Sequence, residues 1–249
     1  MIRTVIWFIY FSVYLLVISP GLLKAKRLKN SGKTEEFDQY IQKVSQNWAR
    51  RLVKLAGGKI HIKGEEHIPK DEPVLIVSNH QGNFDIPILL GFLDLKIGFI
   101  SKIEVKKIPM IGTWMEHMGC IFMDRQDRRQ AVKSIILGAK ALKNGTNLVI
   151  FPEGTRSKGG PVADFKTGSF KLATKSNVTI LPVTIQGSYQ MMEANKNKIT
   201  PGDVHVTISE PIRVHQQEDM DSSQLAEVCR IQIVNQMTQE TSELKNAST

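Results

Sequence analysis

EPVLIVSNHQGNFDIPILL, residues 72–90, is the stretch whose reading decides the fold. Its apolar run from Val74 to Val77 has no period of 3.6, which suits a strand buried on both faces. The run delivers Asn79 and His80 to a polar turn beyond the strand, where open α/β sheets place their ligands. Asp85 stands five residues after His80, and on one continuous helix that spacing turns two side chains about 140° apart. No single helix pairs them. Gly82 instead lets the chain fold back, and Asn83 can cap a helix that starts near Phe84. Asp85 then lies in the first helical turn, where amides and dipole favour a carboxylate. A hydrogen bond from the His80 ring to Asp85 fixes the tautomer and leaves the other nitrogen free to accept a proton. That is a general base held by an orienting acid.

Outward from this stretch, strand and helix signals alternate. KIHIK (59–63), KIGFIS (96–101), GCIFM (119–123), NLVIF (147–151), VTILPVTIQ (178–186) and VHVTI (204–208) read as strands. Pro182 implies that its strand is an edge or carries a bulge. Asp127 can cap a helix with an apolar stripe of Val132, Ile135, Ile136, Ala139 and Leu142, stopped at Gly145. A final helix from Ser222 to about Ser242 carries Leu225, Val228, Ile231 and Ile233, too loosely spaced to define a face. The alternation predicts an α/β fold, a mixed, largely parallel sheet of about seven strands flanked by helices.

The first part of the chain is different. Thr4 to Leu23 is 20 residues without a formal charge. As one helix it is about 30 Å long, one hydrocarbon thickness. Lys24, Lys26, Arg27 and Lys29 follow, so the positive-inside tendency places the remainder on the cytoplasmic side of a cell membrane. Pro20 and Gly21 leave open a helix that ends early and dips into one leaflet. Cleavage as a signal peptide fits less well, because only Arg3 stands in the leading region. From Thr34, Phe37, Ile41, Val44, Trp48, Leu52 and Leu55 recur at helical steps opposite Lys43, Arg50, Arg51 and Lys54. Such a helix lies in a headgroup layer or packs on a core, and the neighbouring apolar segment favours the membrane. Gly57 and Gly58 mark a boundary. The expected organisation is a membrane-binding two-helix element over 1–57, an α/β domain over 58–215 and a helical tail over 216–249, packed on the domain or partly free.

The 33 basic and 24 acidic side chains give a net charge of +9, which suits a partner that carries phosphate. That charge lies beside an apolar segment without a nucleic-acid motif, which argues against nucleic acid as the partner. Cys120 and Cys229 stand far apart without metal spacing and read as reduced and buried, with no metal site. FPEGTRS (151–157) leaves a strand and turns at once. There Gly154 lets backbone approach a ligand, and Arg156 offers a planar fork that matches phosphate oxygens. Glu153 is placed to hold that arginine or to bind a substrate hydroxyl. In GCIFMDR (119–125), Phe122 and Arg125 point to opposite faces of an ideal strand. Phe122 then belongs to the wall of the site, and Arg125 swings over the strand end into it.

These segments fall in a known order. NHQGNFD with His80 and Asp85, GCIFMDR with Gly119, Phe122 and Arg125, FPEGTRS with Glu153 to Arg156, and LPVTI around Pro182 resemble the four blocks of the glycerolipid acyltransferases. The resemblance covers about residues 55–215, and the chain looks like a bacterial 1-acylglycerol-3-phosphate acyltransferase. It implies His80 as base, Asp85 as its orienting partner, and Arg125 and Arg156 as ligands of the acceptor's phosphate. Lys102, in an SK segment where the family usually has AK, is a third implied phosphate ligand. Gly119, Phe122, Glu153, Gly154 and Thr155 are implied to shape the acceptor site. The implied reaction moves a fatty acyl group from an acyl carrier protein or coenzyme A thioester to lysophosphatidic acid, without a cofactor. Other lysolipids or glycerol 3-phosphate as acceptor, and a non-catalytic phospholipid-binding module, are the alternatives. The chemistry is coherent, because a histidine with a pKa of about 6.5 can take the hydroxyl proton as the oxygen attacks the thioester carbonyl. No serine or cysteine nucleophile is then required. The turn around Gly82 is one expected source of amides for the oxyanion.

Overall fold

The computed structural model describes residues 1–216 and 220–246. Its strands are β1 (Gly58–Lys63), β2 (Val74–Ser78), β3 (Ile97–Lys102), β4 (Ile121–Met123), β5 (Asn147–Ile150), β6 (Thr179–Gln186) and β7 (Gly202–Ile208). They form one sheet in the order β1-β7-β6-β2-β5-β3-β4. All pairs are parallel except β6 with β7. The strand that carries the deciding sequence is therefore central, and β5 and β6 flank it and run in its direction.

The helices are α1 (Ile2–Ile18), α2 (Gly21–Asn30), α3 (Thr34–Ala56), α4 (Asp85–Phe92), α5 (Ile103–Lys106), α6 (Ile111–His117), α7 (Arg128–Lys143), α8 (Thr167–Ser176) and α9 (Ser222–Asn246). Strand geometry sends alternate residues to opposite faces. Val74 and Ile76 join a core with α1 to α4 and α6. Leu75 and Val77 join a second core with α7, α8 and α9. Both faces of β2 are dry, which is why its sequence is uniformly apolar.

Three local expectations are refined. Pro182 is not on an edge, since β6 pairs with β2 on one side and β7 on the other. It faces a bulge: between the pair Val183↔Ile208 and the bridge Ile180↔Ile212, β6 spends two residues and its partner three. The Pro182 carbonyl accepts from the Ser209 amide at 3.0 Å, so the missing N–H falls where the ladder is already interrupted. On α7 the buried residues are Ser134, Gly138, Ala139 and Leu142, whereas Val132 and Ile136 are each 53% exposed. On α9 a face does exist, formed by Leu225, Cys229 and Ile233 at steps of four, all fully buried. α3 packs on α4, α1 and α2 and buries Phe37, Ile41, Ala49, Leu52 and Val53, while Lys43, Arg50, Arg51 and Lys54 are exposed.

Of the two forms left open for the apolar stretch from Thr4 to Leu23, the helix that ends early is the one present. α1 ends at Ile18 and the chain bends by 41° into α2. Among the described residues no single helix is long and apolar enough to cross a membrane, although the bent pair passes that test jointly. α1 is tied to the rest of the molecule. The Trp7 indole N–H donates to the Leu52 carbonyl at 2.9 Å, and its ring lies 5.6 Å from that of Phe84. The Thr4 hydroxyl accepts from the Ile199 amide at 3.0 Å.

Candidate active site

Three loops leave the carboxyl ends of β6, β2 and β5 side by side and meet at His80. Asn79 begins the assembly: its side-chain amide donates to and accepts from the backbone of Ile185, each at 2.8 Å, which locks the end of β2 to β6. The chain then folds back as the sequence predicts, except that Asn83 does not cap α4: the helix starts without a side-chain cap, and the Asn83 side chain accepts from Arg156 instead. His80 Nδ1 lies 2.6 Å from Asp85 Oδ2, and Asp85 is fully buried at the start of α4. Oδ2 also accepts the amides of Gln81 at 2.7 Å and Gly82 at 2.9 Å. Oδ1 accepts the hydroxyl of Ser188. Four donors thus satisfy a carboxylate that has no contact with water. With Nδ1–H donating to Asp85, Nε2 is the ring's acceptor nitrogen. The imidazole is held flat on Phe151, with centroids 4.1 Å apart and planes 16° from parallel.

The loop after β5 braces the same turn from the other side. The His80 amide donates to Glu153 Oε1 at 2.6 Å, and the Ala163 amide to Oε2 at 3.0 Å. Glu153 therefore holds backbone, not Arg156 as the sequence reading allowed. Burial pushes its carboxyl above the ordinary glutamate range, and the two amides pull it partly back. The Ser157 amide donates to the His80 carbonyl at 2.8 Å and that of Lys158 to Gln81 at 3.1 Å. Gly154 has φ +72°, the left-handed region that glycine enters without strain. Its carbonyl accepts from the Arg125 guanidinium, which has come over the end of β4 as anticipated. Lys166 adds an ammonium so near that a Cβ on Gly154 would stand 2.4 Å from it.

Arg156 NH1 donates to Glu193 Oε1 at 3.0 Å and to the side-chain carbonyl of Asn83. Lys102 is exposed at the end of β3, in register with Met123, on the sheet edge that carries Arg125. Thr155 is exposed in the same turn as Gly154. Phe122 is half-buried, packs against the core on the α1–α4 side, and lies under the Lys106 ammonium at 5.6 Å.

Two implied roles do not fit. Gly119 precedes β4 at the opposite, amino end of the sheet, where its φ of +82° and the nearby Thr146 require a residue without a side chain. It turns the chain and lies away from the acceptor site. The amides of residues 80–83 are all committed, to Glu153, Asp85, Asp85 and Glu193 in turn. That turn has no amide left for an oxyanion. The sequence reading missed Ser188, Glu193, Lys166 and Phe151. Ser188 had one faint signal, since it stands two residues beyond the end of β6, as His80 stands two beyond the end of β2.

Beside the turn lies an apolar cavity of about 200 Å³ between α1, α3, α4 and α6. Ile86, Leu90, Val44, Trp48, Phe99 and Trp114 are among its lining residues. Ile86 directly follows Asp85, so the cavity begins one residue from the buried carboxylate.

The chain that carries this buried carboxylate and histidine is similar to known proteins. Residues 59–186 match the family model described as Acyltransferase. A chloroplastic 1-acyl-sn-glycerol-3-phosphate acyltransferase of Arabidopsis thaliana is 40% identical over 71% of the chain and 51% of its own length. The chain thus spans about half the length of that plant relative. The 1-acyl-sn-glycerol-3-phosphate acyltransferase of Borreliella burgdorferi is 32% identical, with 74% of this chain and 73% of that protein covered. The crystal structure of the 1-acyl-sn-glycerophosphate acyltransferase of Thermotoga maritima superimposes with a TM-score of 0.82 at 28% identity, over 96% of this chain and 97% of that one. In sequence and in architecture alike, the chain belongs to the acyltransferase family.

Proposed function

We propose that this acyltransferase transfers a fatty acyl group from a thioester of acyl carrier protein or coenzyme A to the free hydroxyl of lysophosphatidic acid, giving phosphatidic acid. The observation that carries the reading is the His80–Asp85 pair at 2.6 Å, within one cluster with Arg125, Lys166 and Arg156. His80 Nε2 removes the hydroxyl proton as the oxygen attacks the thioester carbonyl. Asp85 keeps the ring in the right tautomer and stabilises the imidazolium that forms. The tetrahedral intermediate collapses with loss of the thiolate, which takes the proton back from His80. Donor and acceptor supply every atom, so the step calls for no cofactor.

Arg125, Arg156 and Lys102 serve as grips for the acceptor's phosphate, and holding that group fixes the hydroxyl near Nε2. The apolar cavity suits a hydrocarbon chain, at roughly 0.8 kcal/mol for each methylene removed from water. α1 exposes Val5, Ile9, Val13, Leu16 and Val17, and α2 follows with Lys24, Lys26, Arg27 and Lys29. A bent pair of this composition suits insertion into the cytoplasmic leaflet of the cell membrane, basic residues at the headgroups. Trp7 against Phe84 then brings the site to the depth at which a lysolipid lies.

His80→Ala tests the mechanism. Product formation from lysophosphatidic acid and either donor falls by roughly 10²–10⁴ in kcat, with acceptor KM little changed. Full activity in that variant removes the proposal. Assays with glycerol 3-phosphate and with a second lysolipid decide the acceptor.

A further inference from the structure

We infer that Glu193 is a positioning residue that sets the phosphate-facing edge of Arg156. The inference rests on the acceptor-binding reading of Arg156 given above. Glu193 begins the second of two short 3-10 turns after β6, Ser188–Met191 and Glu193–Asn195. Its Oε1 accepts two donors at once, the Arg156 guanidinium at 3.0 Å and the Asn83 amide at 2.8 Å. One oxygen atom therefore joins the loops after β2, β5 and β6.

The two partners are unequal. The Glu193 side chain is 2% exposed and that of Arg156 is 36% exposed, so the carboxylate is a fixed anchor from which the guanidinium projects. Arginine carries five N–H donors in a rigid plane. The bonds to Glu193 and Asn83 both use NH1, and among the described residues Nε and NH2 have no acceptor. Holding a planar group at one corner aims its remaining donors, and those donors match a pair of phosphate oxygens. The second Glu193 oxygen, Oε2, is buried without a partner. It sits over Gly82, where a Cβ would come within 2.5 Å of it. The placement of Glu193 is thus set by what Oε1 holds, since its other oxygen is left unmet. It also explains the glycine: Gly82 is outside the left-handed region, and what the site needs there is space.

The test uses the full chain in mixed micelles with lysophosphatidic acid as acceptor and a single acyl donor. Kinetic constants are measured for Glu193→Gln, Glu193→Met, Arg156→Ala and the double variant Glu193→Met/Arg156→Ala, each with its thermal midpoint. Glu193→Met keeps the volume without an oxygen, and it raises acceptor KM by roughly 10-fold, the loss of one charge-assisted bond, while donor KM holds. Glu193→Gln keeps an acceptor oxygen in place and restores KM to within about threefold of the parent. The double variant is no worse than Arg156→Ala alone, because Glu193 acts through that arginine. An unchanged acceptor KM in Glu193→Met, or effects that multiply in the double variant, overturns the inference. A loss that follows the thermal midpoint and lowers kcat and donor binding together overturns it as well. If Arg156→Ala itself leaves acceptor KM unchanged, the phosphate reading fails, and the inference falls with it.

Discussion

Asp85 is the residue on which the local structure depends most, since His80, Gln81, Gly82 and Ser188 all donate to it and none of those donors has another acceptor in the turn. Asp85→Asn puts an amide NH₂ among these donors. We expect kcat to fall by roughly 10²–10⁴ and the thermal midpoint to drop as well, read from the same preparation by assay and calorimetry. Ser188→Ala removes one bond to a charged group and lowers unfolding free energy by about 1.5–3 kcal/mol in urea titration. Glu153 provides a pH signature. Its carboxyl titrates above the ordinary value because burial disfavours the charge, so the native state binds its proton more tightly than the unfolded chain does. Its contribution to stability is therefore full below the unfolded pKa of about 4.3 and is lost as pH rises through the higher folded value. Wild type should lose stability relative to Glu153→Gln across that window, measured by denaturation at stepped pH. The His80–Asp85 contact was legible because it closes within five residues around a glycine. Ser188 was not, because it is 103 residues from Asp85. The partners of Glu153 are backbone amides, which no sequence distinguishes.

Among the elements, β2 could be read directly, since a strand covered on both faces admits only apolar side chains. α7 could be read only in part. Counting apolar residues selected Val132 and Ile136, yet the buried line runs through Ser134 and Gly138, because α8 approaches too closely for anything larger. A Cβ on Gly138 would lie 2.6 Å from a Leu172 methyl. Gly138→Val should thus cost about 1–3 kcal/mol through overpacking, whereas Ile136→Lys should stay within about 0.5 kcal/mol. Thermal denaturation of the two variants decides. α3 was legible in its two faces: Phe37, Ile41 and Leu52 are buried, and Lys43, Arg50, Arg51 and Lys54 are exposed. Arg50 donates to the Gly91 carbonyl, and Arg51 sits 5.7 Å over the Tyr14 ring. Amphipathicity shows that a helix has two faces, but not which neighbour covers each one.

For the whole molecule, the class and number of strands followed from the alternation of signals, whereas the order β1-β7-β6-β2-β5-β3-β4 did not, since pairing between distant strands leaves no local mark. It is this order that puts three loops around His80. The two cysteines report on the intact fold. Burial pushes the Cys120 thiol up to about 12 and raises Cys229 as well, so neither forms thiolate near pH 8 in the native state. Alkylation should follow global unfolding only, seen as labelling that tracks the urea transition. The bent pair α1–α2 has its own test: a combined Ile9→Lys, Val13→Lys and Leu16→Lys variant should lose co-sedimentation with anionic phospholipid vesicles at an unchanged thermal midpoint, since these side chains touch solvent. The bond between Thr4 and the Ile199 amide spans 195 residues of chain. At translation rates of roughly 5–20 residues per second, a growing polypeptide displays its oily leading helix for tens of seconds before its clasp exists. Until then only earlier contacts such as Trp7 with Leu52 hold that helix, and the last of its ties is made once six of the seven strands have been synthesised.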